Sequence, residues 1–323
     1  MISIVICHRE KKLLAELIEN IEATIGTQHE LIVIDNHANK RSIFQAYNLG
    51  VMQSKGEIIC FVHEDVLFHT ENWGQKLINH FEKDKSIGLI GVIGGTALPA
   101  CPAPWWNNHE LNNHYVNLVQ HWDYKDITDK WEINKPLNKQ RTIIHHRNNP
   151  SGKMINRVAA VDGLFFAVPK PLFKVIRFDE NNFDGFHGYD IDTCLQIKEN
   201  GFDVVVVHDI TIEHFSKGKT NKKWNLTSIK LAEKWLDQLP IVTQNPSVSE
   251  FEKKQYTIDS LLTFCFWAKN QVPDTKIREV ILKFLPVSFY KPISKNHQLL
   301  IIWQKVGYQI ARIIFRFTKH FAK

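Results

Sequence analysis

The chain has 323 residues, of which 44% are hydrophobic, and a formal net charge of +6. This length and composition suit one sizeable domain with an extension, or two small domains, and they exclude a chain that is disordered throughout. Eight of the 40 Lys and Arg residues follow Glu279, where the sequence has no Asp or Glu, so the positive charge belongs to the C-terminal tail. A nucleic-acid-binding protein would carry its cations on the main domain, and we therefore expect no nucleic-acid partner.

The five cysteines are odd in number, widely spaced and without a CxxC pair, which favours reduced thiols in the cytoplasm. The chain opens on a strand-like run, Ile2–Ile6, without the basic and apolar regions of a signal peptide. No apolar run is long enough to span a bilayer. We therefore expect a cytoplasmic protein that is neither secreted nor integral to a membrane.

Short apolar runs alternate with amphipathic segments from the start of the chain to Gly95. The runs are typical of strands covered on both faces, and the segments repeat apolar residues with the period of a helix. We predict strands at Ile2–Ile6, Leu31–Ile34, Glu57–Val62 and Ile87–Ile93, and helices at Lys11–Ile25, Ser42–Met52 and Trp73–Phe81. This order predicts right-handed βαβ units and an α/β, Rossmann-like fold with a mostly parallel sheet flanked by helices.

Each of the first three predicted strands ends in polar residues. These are the pairs Cys7-His8 and Asp35-Asn36 and the triplet His63-Glu64-Asp65. The carboxyl ends of parallel strands form one edge of the sheet, and ligands bind beyond that edge. The sequence therefore predicts a binding site where these residues meet.

The alternation stops between residues 96 and 149, where prolines and scattered Trp, His and Asn residues predict an irregular insertion. Its pair Trp105-Trp106 could offer indole faces to a ligand, and packing of the loop on the domain is an equal alternative. Regular structure then returns in four predicted elements. These are a strand at Asn156–Val168, a short helix at Pro171–Ile176, a helix at Asp190–Asn200 closed by Gly201, and a strand at Asp203–Val207.

Residues 219–323 are helical in pattern and lack the alternation, so we predict two regions, 1–218 and 219–323. The second region ends in Leu299–Phe321, where apolar residues recur at steps of three and four and Lys and Arg lie on another side. This pattern predicts a basic amphipathic helix. We expect it to dock the protein on an anionic membrane surface, the inner leaflet, while packing on the main domain or a dimer contact are the alternatives.

Two carboxylate groups and one histidine suit metal-assisted chemistry. Carboxylates that leave a buried strand, as in His63-Glu64-Asp65, can hold Mg²⁺ or Mn²⁺ and through it a diphosphate, although a solvated loop would look the same. Asp190 and Asp192 cannot face the same way on a helix, so at most one points at a reacting group, and capping would explain both. His214 is either a further metal ligand or a structural histidine.

These motifs, taken in order, resemble a GT-A-fold, family 2-type glycosyltransferase. The resemblance follows Asp35-Asn36, the HED triplet, Asp162-Gly163 and the Glu213-His214 pair. The block FDENNFDGFHGYDIDTCLQIKENGFDVVVV, followed by a histidine, resembles more narrowly a bacterial glycosyltransferase-like subgroup with an FHxYDxD signature. The resemblance covers residues 2–218, and it implies a GT-A-like fold for this part of the chain.

The resemblance also implies roles for individual residues. Asp190 would be the catalytic base of an inverting reaction, Asp65 and His214 would bind a divalent metal, Mn²⁺ or Mg²⁺, and Asp35 would meet the nucleobase. The remaining candidate substrate-binding residues are Cys7, His8, Asn36, Asn48, Glu64, Trp105, Trp106, Asp162, Gly163 and Tyr189. Two positions depart from the family pattern: His63 replaces the first Asp of the Asp-x-Asp motif, and Tyr189 stands where Glu often precedes the base.

We therefore expect a glycosyltransferase that moves a sugar from a nucleotide-diphosphate sugar, a UDP-sugar by resemblance, to a glycan or lipid-linked acceptor. One alternative is a sugar-nucleotide nucleotidyltransferase, but such an enzyme normally has a Gly-rich phosphate loop after the first strand, and only His8-Arg9 stands there. The other alternative is an inactive nucleotide- or sugar-binding module, which the departures at His63 and Tyr189 favour.

Overall fold

The structure is a computed structural model that describes residues 1–38, 40–122, 142–216, 218, 220–243 and 247–285. The strands of these ranges are β1 Ile2–His8, β2 His29–Asp35, β3 Ile58–His63, β4 Val66–Phe68, β5 Ile87–Gly91, β6 Ile93–Gly95, β7 Ala97–Leu98, β8 His114–Trp122, β9 Thr142–Asn148, β10 Ile155–Val158, β11 Ala160–Val161, β12 Phe165–Pro169, β13 Asp203–Val207, β14 Ile212–His214 and β15 Ile241–Val242. The helices are α1 Lys11–Thr24, α2 Ile43–Gln53, α3 Trp73–Lys83, α4 Tyr189–Glu199, α5 Lys222–Lys234, α6 Glu250–Ala268 and α7 Asp274–Phe284, with a 3₁₀ helix at Lys170–Lys174.

A seven-stranded sheet forms the centre of the fold, in the order β10-β13-β5-β12-β3-β1-β2. The pairs β1–β2, β1–β3 and β5–β13 are parallel, whereas β12 and β10 run antiparallel to their neighbours. Five of the seven strands therefore point the same way, and the predicted α/β fold with a mostly parallel sheet is confirmed. Strand β1 lies between β2 and β3, so the chain order reverses at β1, which is where such sheets bind ligands.

Helices cover both faces of this sheet because successive strand residues point to opposite sides. On β1, Ile4 and Ile6 join one buried cluster with α1 and α3, whereas Val5 joins another with α2 and α4. The strands are consequently apolar on both faces, as the unbroken apolar runs of the sequence predict. Helix α2 begins at a capping box, in which Ser42 and Gln45 satisfy each other's backbone N–H groups.

A second sheet, in the order β11-β6-β8-β14-β4 with β9 paired to β8, lies beyond the carboxyl edge of the first. The prediction that residues 96–149 are irregular is wrong for β8 and β9, which form a long antiparallel pair. The single strands predicted at 87–93 and 156–168 are also broken, because the chain passes there from one sheet to the other. Pairing with strands far along the chain, rather than local pattern, creates these short strands.

The helices α5, α6 and α7 share a third apolar cluster, to which Trp224, Phe264 and Val280 contribute. Leu231 and Trp235, at the end of α5, instead join the core of the central sheet. The boundary between residues 218 and 219 stays a prediction, and the predicted basic helix Leu299–Phe321 lies outside the described residues. In the described part of the chain, no helix combines the length and the apolar character needed to cross a membrane.

Candidate active site

A cavity of about 930 Å³ opens at the carboxyl edge of the central sheet, between the two sheets and the C-terminal helices. The ends of β1 and β3, the start of α4, the loop after β7 and helices α5 and α6 all contribute to its walls. The predicted site residues in its lining are Cys7, Glu64, Asp65, Trp105, Trp106, Asp162, Gly163, Tyr189, Asp190 and His214. The motifs predicted to meet at one edge of the sheet therefore do so.

His63, Asp65 and His214 form a compact cluster in this cavity. Strand β14 pairs antiparallel with β4, His214 opposite Val66, and this register brings His214 beside Asp65. The Asp65 carboxylate lies 3.9 Å from Nδ1 of His63 and 3.6 Å from Nε2 of His214. One ligand atom from each of the three residues lies within 4.8 Å of the others. His63, which departs from the Asp-x-Asp pattern, thus belongs to the same cluster as the two predicted metal ligands.

The cluster fits a divalent metal ion. Nε2 of His214 is buried without a hydrogen-bond partner among the described residues, and an orphaned polar atom of this kind needs an explanation. Burial raises the pKa of Asp65, but the positive charge that His214 and His63 carry when protonated outweighs it, so the pKa is lowered and the carboxylate is charged. Burial lowers the pKa of His63 and outweighs the charge of Asp65, which raises it, so the neutral imidazole is favoured. Neutral imidazoles and a carboxylate are metal-ligand groups.

Asp190 lies in the first turn of α4 and faces the same cavity. Its carboxylate accepts hydrogen bonds from the backbone N–H groups of Gly163, at 3.1 Å, and Ile191, at 2.9 Å. Burial and the nearby charge of Asp162 raise the pKa of Asp190 to about 7. A carboxylate with such a pKa suits a general base near neutral pH.

Asp192, two residues further along α4, does not line the cavity. It is 1% exposed, and it accepts hydrogen bonds from Trp235 Nε1 at 2.8 Å and Gln196 Nε2 at 2.8 Å. Its carboxylate also lies 2.7 Å from the Lys234 ammonium, so it ties α4 to α5. The expectation that at most one of the two aspartates points at a reacting group therefore agrees with the structure.

Tyr189 lines the cavity, as predicted for a substrate-binding residue, but its hydroxyl forms hydrogen bonds within the protein. The hydroxyl lies 2.6 Å from Nε2 of His63 and donates to the carbonyl oxygen of Gly163 at 3.0 Å. The phenol ring passes so close to Gly163 that a Cβ atom there would lie 2.1 Å from the hydroxyl oxygen. Position 163 therefore requires glycine, and Tyr189 is a structural neighbour of the metal cluster.

Among the predicted substrate-binding residues, Glu64 and Cys7 line the cavity, whereas Asp35 is not part of the lining. Glu64 accepts hydrogen bonds from the backbone N–H groups of Arg9, at 2.8 Å, and Glu10, at 2.9 Å, and so holds the loop after β1. Burial raises the pKa of the Cys7 thiol, which is therefore neutral. The side chain of Asp35 is 73% exposed beyond the end of β2 and remains open to a ligand.

Three other predicted substrate-binding residues lie outside the cavity lining. The Asn48 side chain forms two hydrogen bonds with the backbone of Phe178. The Asn36 side chain forms two with the backbone of Arg41, which closes the loop after β2. His8 is 6% exposed and, like both asparagines, is not part of the cavity lining. Residue type alone could not reveal the backbone partners of the two asparagines.

The end of the cavity that is formed by the loop after β7 and by helices α5 and α6 is aromatic. Trp105 is buried and donates from Nε1 to Asp162 at 3.3 Å, so it orients that carboxylate rather than offering a free face. Trp106 is 38% exposed in the lining and thus keeps an accessible indole. Trp267 of α6 is also 38% exposed in the lining. The sequence pattern misses Trp267, because nothing in a helical segment marks it as part of a site formed by distant residues.

Arg9, like Trp267, lines the cavity although the sequence pattern does not predict it as a site residue. Its guanidinium lies 5.4 Å from the ring centre of Phe186, and both side chains line the cavity. This position, two residues past Cys7, places a cation at the carboxyl edge of β1. A cation there suits an anionic ligand. The pair His8-Arg9 after the first strand is the sequence signal that could have identified Arg9.

One family model and several solved structures of known proteins are similar to this chain. The model of the glycosyltransferase-like family matches residues 3–237. The solved structure of S. aureus TarS 1–349 with UDP-GlcNAc aligns with a TM-score of 0.51 and 11% identity, covering 99% of this chain and 91% of that one. The structure of GalNAc-T7 with UDP, GalNAc and Mn²⁺ aligns with a TM-score of 0.45 and 14% identity, covering 82% of this chain but only 56% of that one. No curated protein sequence matches the chain.

The raised pKa of Asp190 predicts how its replacement changes stability. The folded protein holds the Asp190 proton up to about pH 7, whereas the unfolded chain loses it near pH 4, so the native protein loses stability as pH rises between these values. In Asp190→Asn this dependence is absent. The free energy of unfolding of the variant, relative to the native protein, should rise by on the order of 2 kcal/mol from pH 5 to pH 8. Urea unfolding at both pH values measures it, and an equal difference at the two would contradict the raised pKa.

Proposed function

The chain belongs to the glycosyltransferase-like family and has a GT-A fold, so it is a glycosyltransferase, and from that premise we propose that it is a metal-assisted, inverting enzyme with Asp190 as its base. The observation that carries this proposal is one cavity that holds both a carboxylate with a pKa of about 7 and the cluster of His63, Asp65 and His214. These are the two parts that an inverting transfer needs, a base for the acceptor and a charge that faces the leaving group.

The donor in this proposal is a nucleotide-diphosphate sugar, with a UDP-sugar as the first candidate because the TarS structure of the same fold contains UDP-GlcNAc. Asp35, exposed at the end of β2, would meet the base as the resemblance implies, and Arg9 in the cavity lining offers a positive charge to the phosphates. His63, Asp65 and His214 would hold the metal, which when bound neutralises charge on the diphosphate. Two imidazoles beside one carboxylate favour Mn²⁺ over Mg²⁺, because Mg²⁺ prefers oxygen ligands.

Asp190 takes the proton of the acceptor hydroxyl in this proposal. The acceptor oxygen forms a bond to the anomeric carbon, the bond from that carbon to the diphosphate breaks, and the proton moves to the Asp190 carboxylate. The backbone N–H groups of Gly163 and Ile191 orient the carboxylate. Attack from the side opposite to the leaving group inverts the anomeric centre.

The acceptor in this proposal is a glycan or a lipid-linked glycan that lies against the aromatic end of the cavity. Trp106 and Trp267 offer half-exposed indoles from two separate elements. Thr227, Ser228 and Gln271 add uncharged hydrogen-bonding groups to the same lining. An apolar ring face beside hydroxyl and amide groups suits a saccharide, whose rings have both characters. Thr227 packs beside Gly188, just before Asp190, so this wall continues to the base.

We further propose that the enzyme works in the cytoplasm at the inner membrane leaflet. The basis for this is the sequence of residues 299–321, which lie outside the described residues: apolar residues on one side and Lys and Arg on another. Such a helix lies in a membrane interface and is attracted by anionic lipids. A membrane location would bring the cavity to lipid-linked acceptors.

Replacing the base should remove turnover and leave donor binding intact. Asp190→Asn should lower kcat by about 10²- to 10⁴-fold, with the Kd for the donor nucleotide within a few-fold of the native value. In the native enzyme, kcat/KM should fall as pH drops below about 7, because Asp190 becomes protonated. Release of nucleoside diphosphate measures kcat and the pH dependence of kcat/KM, and titration with the donor nucleotide measures the Kd. Asp192→Asn is the matched control, and it should keep turnover per folded molecule; loss of nucleotide binding in Asp190→Asn, or surviving turnover, would contradict the assignment.

Replacing the half-exposed indole of α6 should affect the acceptor alone. Trp267→Ala should raise the KM for the acceptor about tenfold or more, which corresponds to about 1.4 kcal/mol, and leave the KM for the donor unchanged. Phe251→Ala is the control on the same helix, because Phe251 is exposed and outside the cavity lining. Steady-state kinetics with each substrate varied in turn separates the two effects. An equal rise in the donor KM would contradict an acceptor wall.

Deleting residues 296–323 should abolish sedimentation with liposomes that contain anionic phosphatidylglycerol. The full chain should sediment with these liposomes and remain in solution with neutral phosphatidylcholine ones, because the attraction depends on lipid charge. Sedimentation that is unchanged by the deletion would contradict the membrane proposal and leave the catalytic one unaffected.

A further inference from the structure

Each histidine of the metal cluster is held by a hydrogen bond at its other ring nitrogen. Nδ1 of His214 lies 3.1 Å from Oε1 of Gln120. The amide nitrogen of Gln120 donates to the carbonyl oxygens of Ser216, at 2.7 Å, and His121, at 2.9 Å, which fixes the orientation of the amide. Because Oε1 can only accept, Nδ1 of His214 carries the proton. In the neutral imidazole, Nε2 therefore presents a lone pair to Asp65.

The same reasoning applies to His63 through Tyr189. The Tyr189 hydroxyl has one proton, and it donates this proton to the Gly163 carbonyl oxygen, which can only accept. Its oxygen must then accept from Nε2–H of His63, at 2.6 Å. Nδ1 of His63 is consequently unprotonated, and this is the atom that lies 3.9 Å from the Asp65 carboxylate.

Both imidazoles, in the neutral form that binds metals, therefore turn lone pairs toward one carboxylate. The separations from Asp65, 3.9 Å and 3.6 Å, are too long for hydrogen bonds. A cluster that lacked a metal would gain from turning an N–H toward Asp65, yet both N–H groups point away, to Tyr189 and to Gln120. The hydrogen bonds thus prepare three ligand atoms for a cation, as partners outside a metal's own ligands commonly do.

We propose that Tyr189 is a positioning residue that fixes the tautomer of His63 and so makes His63 a third metal ligand, while Gln120 does the same for His214. This inference rests on the proposed metal-assisted function. Tyr189 also joins the metal cluster to the base, because Gly163 accepts from Tyr189 through its carbonyl and donates to Asp190 through its N–H, at 3.1 Å. A tyrosine suits the position before the base because its hydroxyl reaches both His63 and Gly163.

Tyr189→Phe tests the proposal, with Tyr256→Phe as the matched control. Tyr256 is also buried and its hydroxyl also donates to a backbone carbonyl oxygen, that of Ala97 at 3.1 Å, but it lies outside the cavity lining. Binding of Mn²⁺ alone, followed by electron paramagnetic resonance of the free ion, should weaken about 10- to 100-fold in Tyr189→Phe and stay within twofold in Tyr256→Phe. Equal affinity of Tyr189→Phe and the native protein would overturn the proposal, as would equal losses in both variants.

A double-variant cycle keeps the test valid if Tyr189→Phe folds less well. His63→Ala should weaken Mn²⁺ binding, and adding Tyr189→Phe to His63→Ala should weaken it no further, because the hydrogen bond acts only through the imidazole. Additive losses would overturn the proposal. Failure of the underlying function gives a different result. Native protein that binds no Mn²⁺ and still transfers sugar in EDTA would contradict the metal-assisted function. Unchanged Mn²⁺ binding in Tyr189→Phe would contradict only the role of Tyr189.

Discussion

The candidate site depends on the antiparallel pairing of β4 and β14, two strands of three residues each. Strand β4 follows directly from the turn that carries Asp65, and β14 ends at His214. The pairing is reinforced where the Phe215 N–H donates to the Asp65 carbonyl oxygen at 3.0 Å. Residues about 150 positions apart, Asp65 and His214, thereby meet in one register. Without this pairing the Asp65 carboxylate would have only His63 of the cluster beside it.

Two carboxylates in this one cavity experience opposite environments, and the difference assigns their roles. Asp65 is buried, but positive charge beside it, as on a protonated His214 or His63, keeps its pKa low, so it carries the negative charge that a cation needs. Asp190 faces burial and the charge of Asp162, which raise its pKa to about 7. When the surroundings of two groups separate their pKa values in this way, one group commonly acts as the acid or base and the other stabilises charge. Gly163 lies between the two, and the tyrosine ring against it leaves no room for a side chain.

Local patterns predict the first part of this fold well, because apolar periodicity alone is enough to locate β1, β2, β3 and the helices between them. The Asp190 helix and the valine-rich β13 also lie where the sequence predicts them. The prediction that residues 96–149 are irregular is wrong for β8 and β9, since β8 is stabilised by partners from other parts of the chain. Asn36 and Asn48 look like ligand-binding residues until their backbone partners are seen. Gln120 and Trp267 carry no motif, and only the assembled fold brings them to the site.

The central claim is that the cluster around Asp65 binds a metal that holds a nucleotide diphosphate. Thermal unfolding with UDP, GDP, CMP or dTDP, each with and without Mn²⁺, tests it most directly when native protein and Asp65→Asn are compared. A ligand at 100 times its Kd stabilises the folded state by about 2.7 kcal/mol. We predict that one nucleoside diphosphate raises the Tm of the native protein only with Mn²⁺, and that Asp65→Asn loses this shift. Shifts that ignore Mn²⁺, or that persist in Asp65→Asn, would contradict the claim.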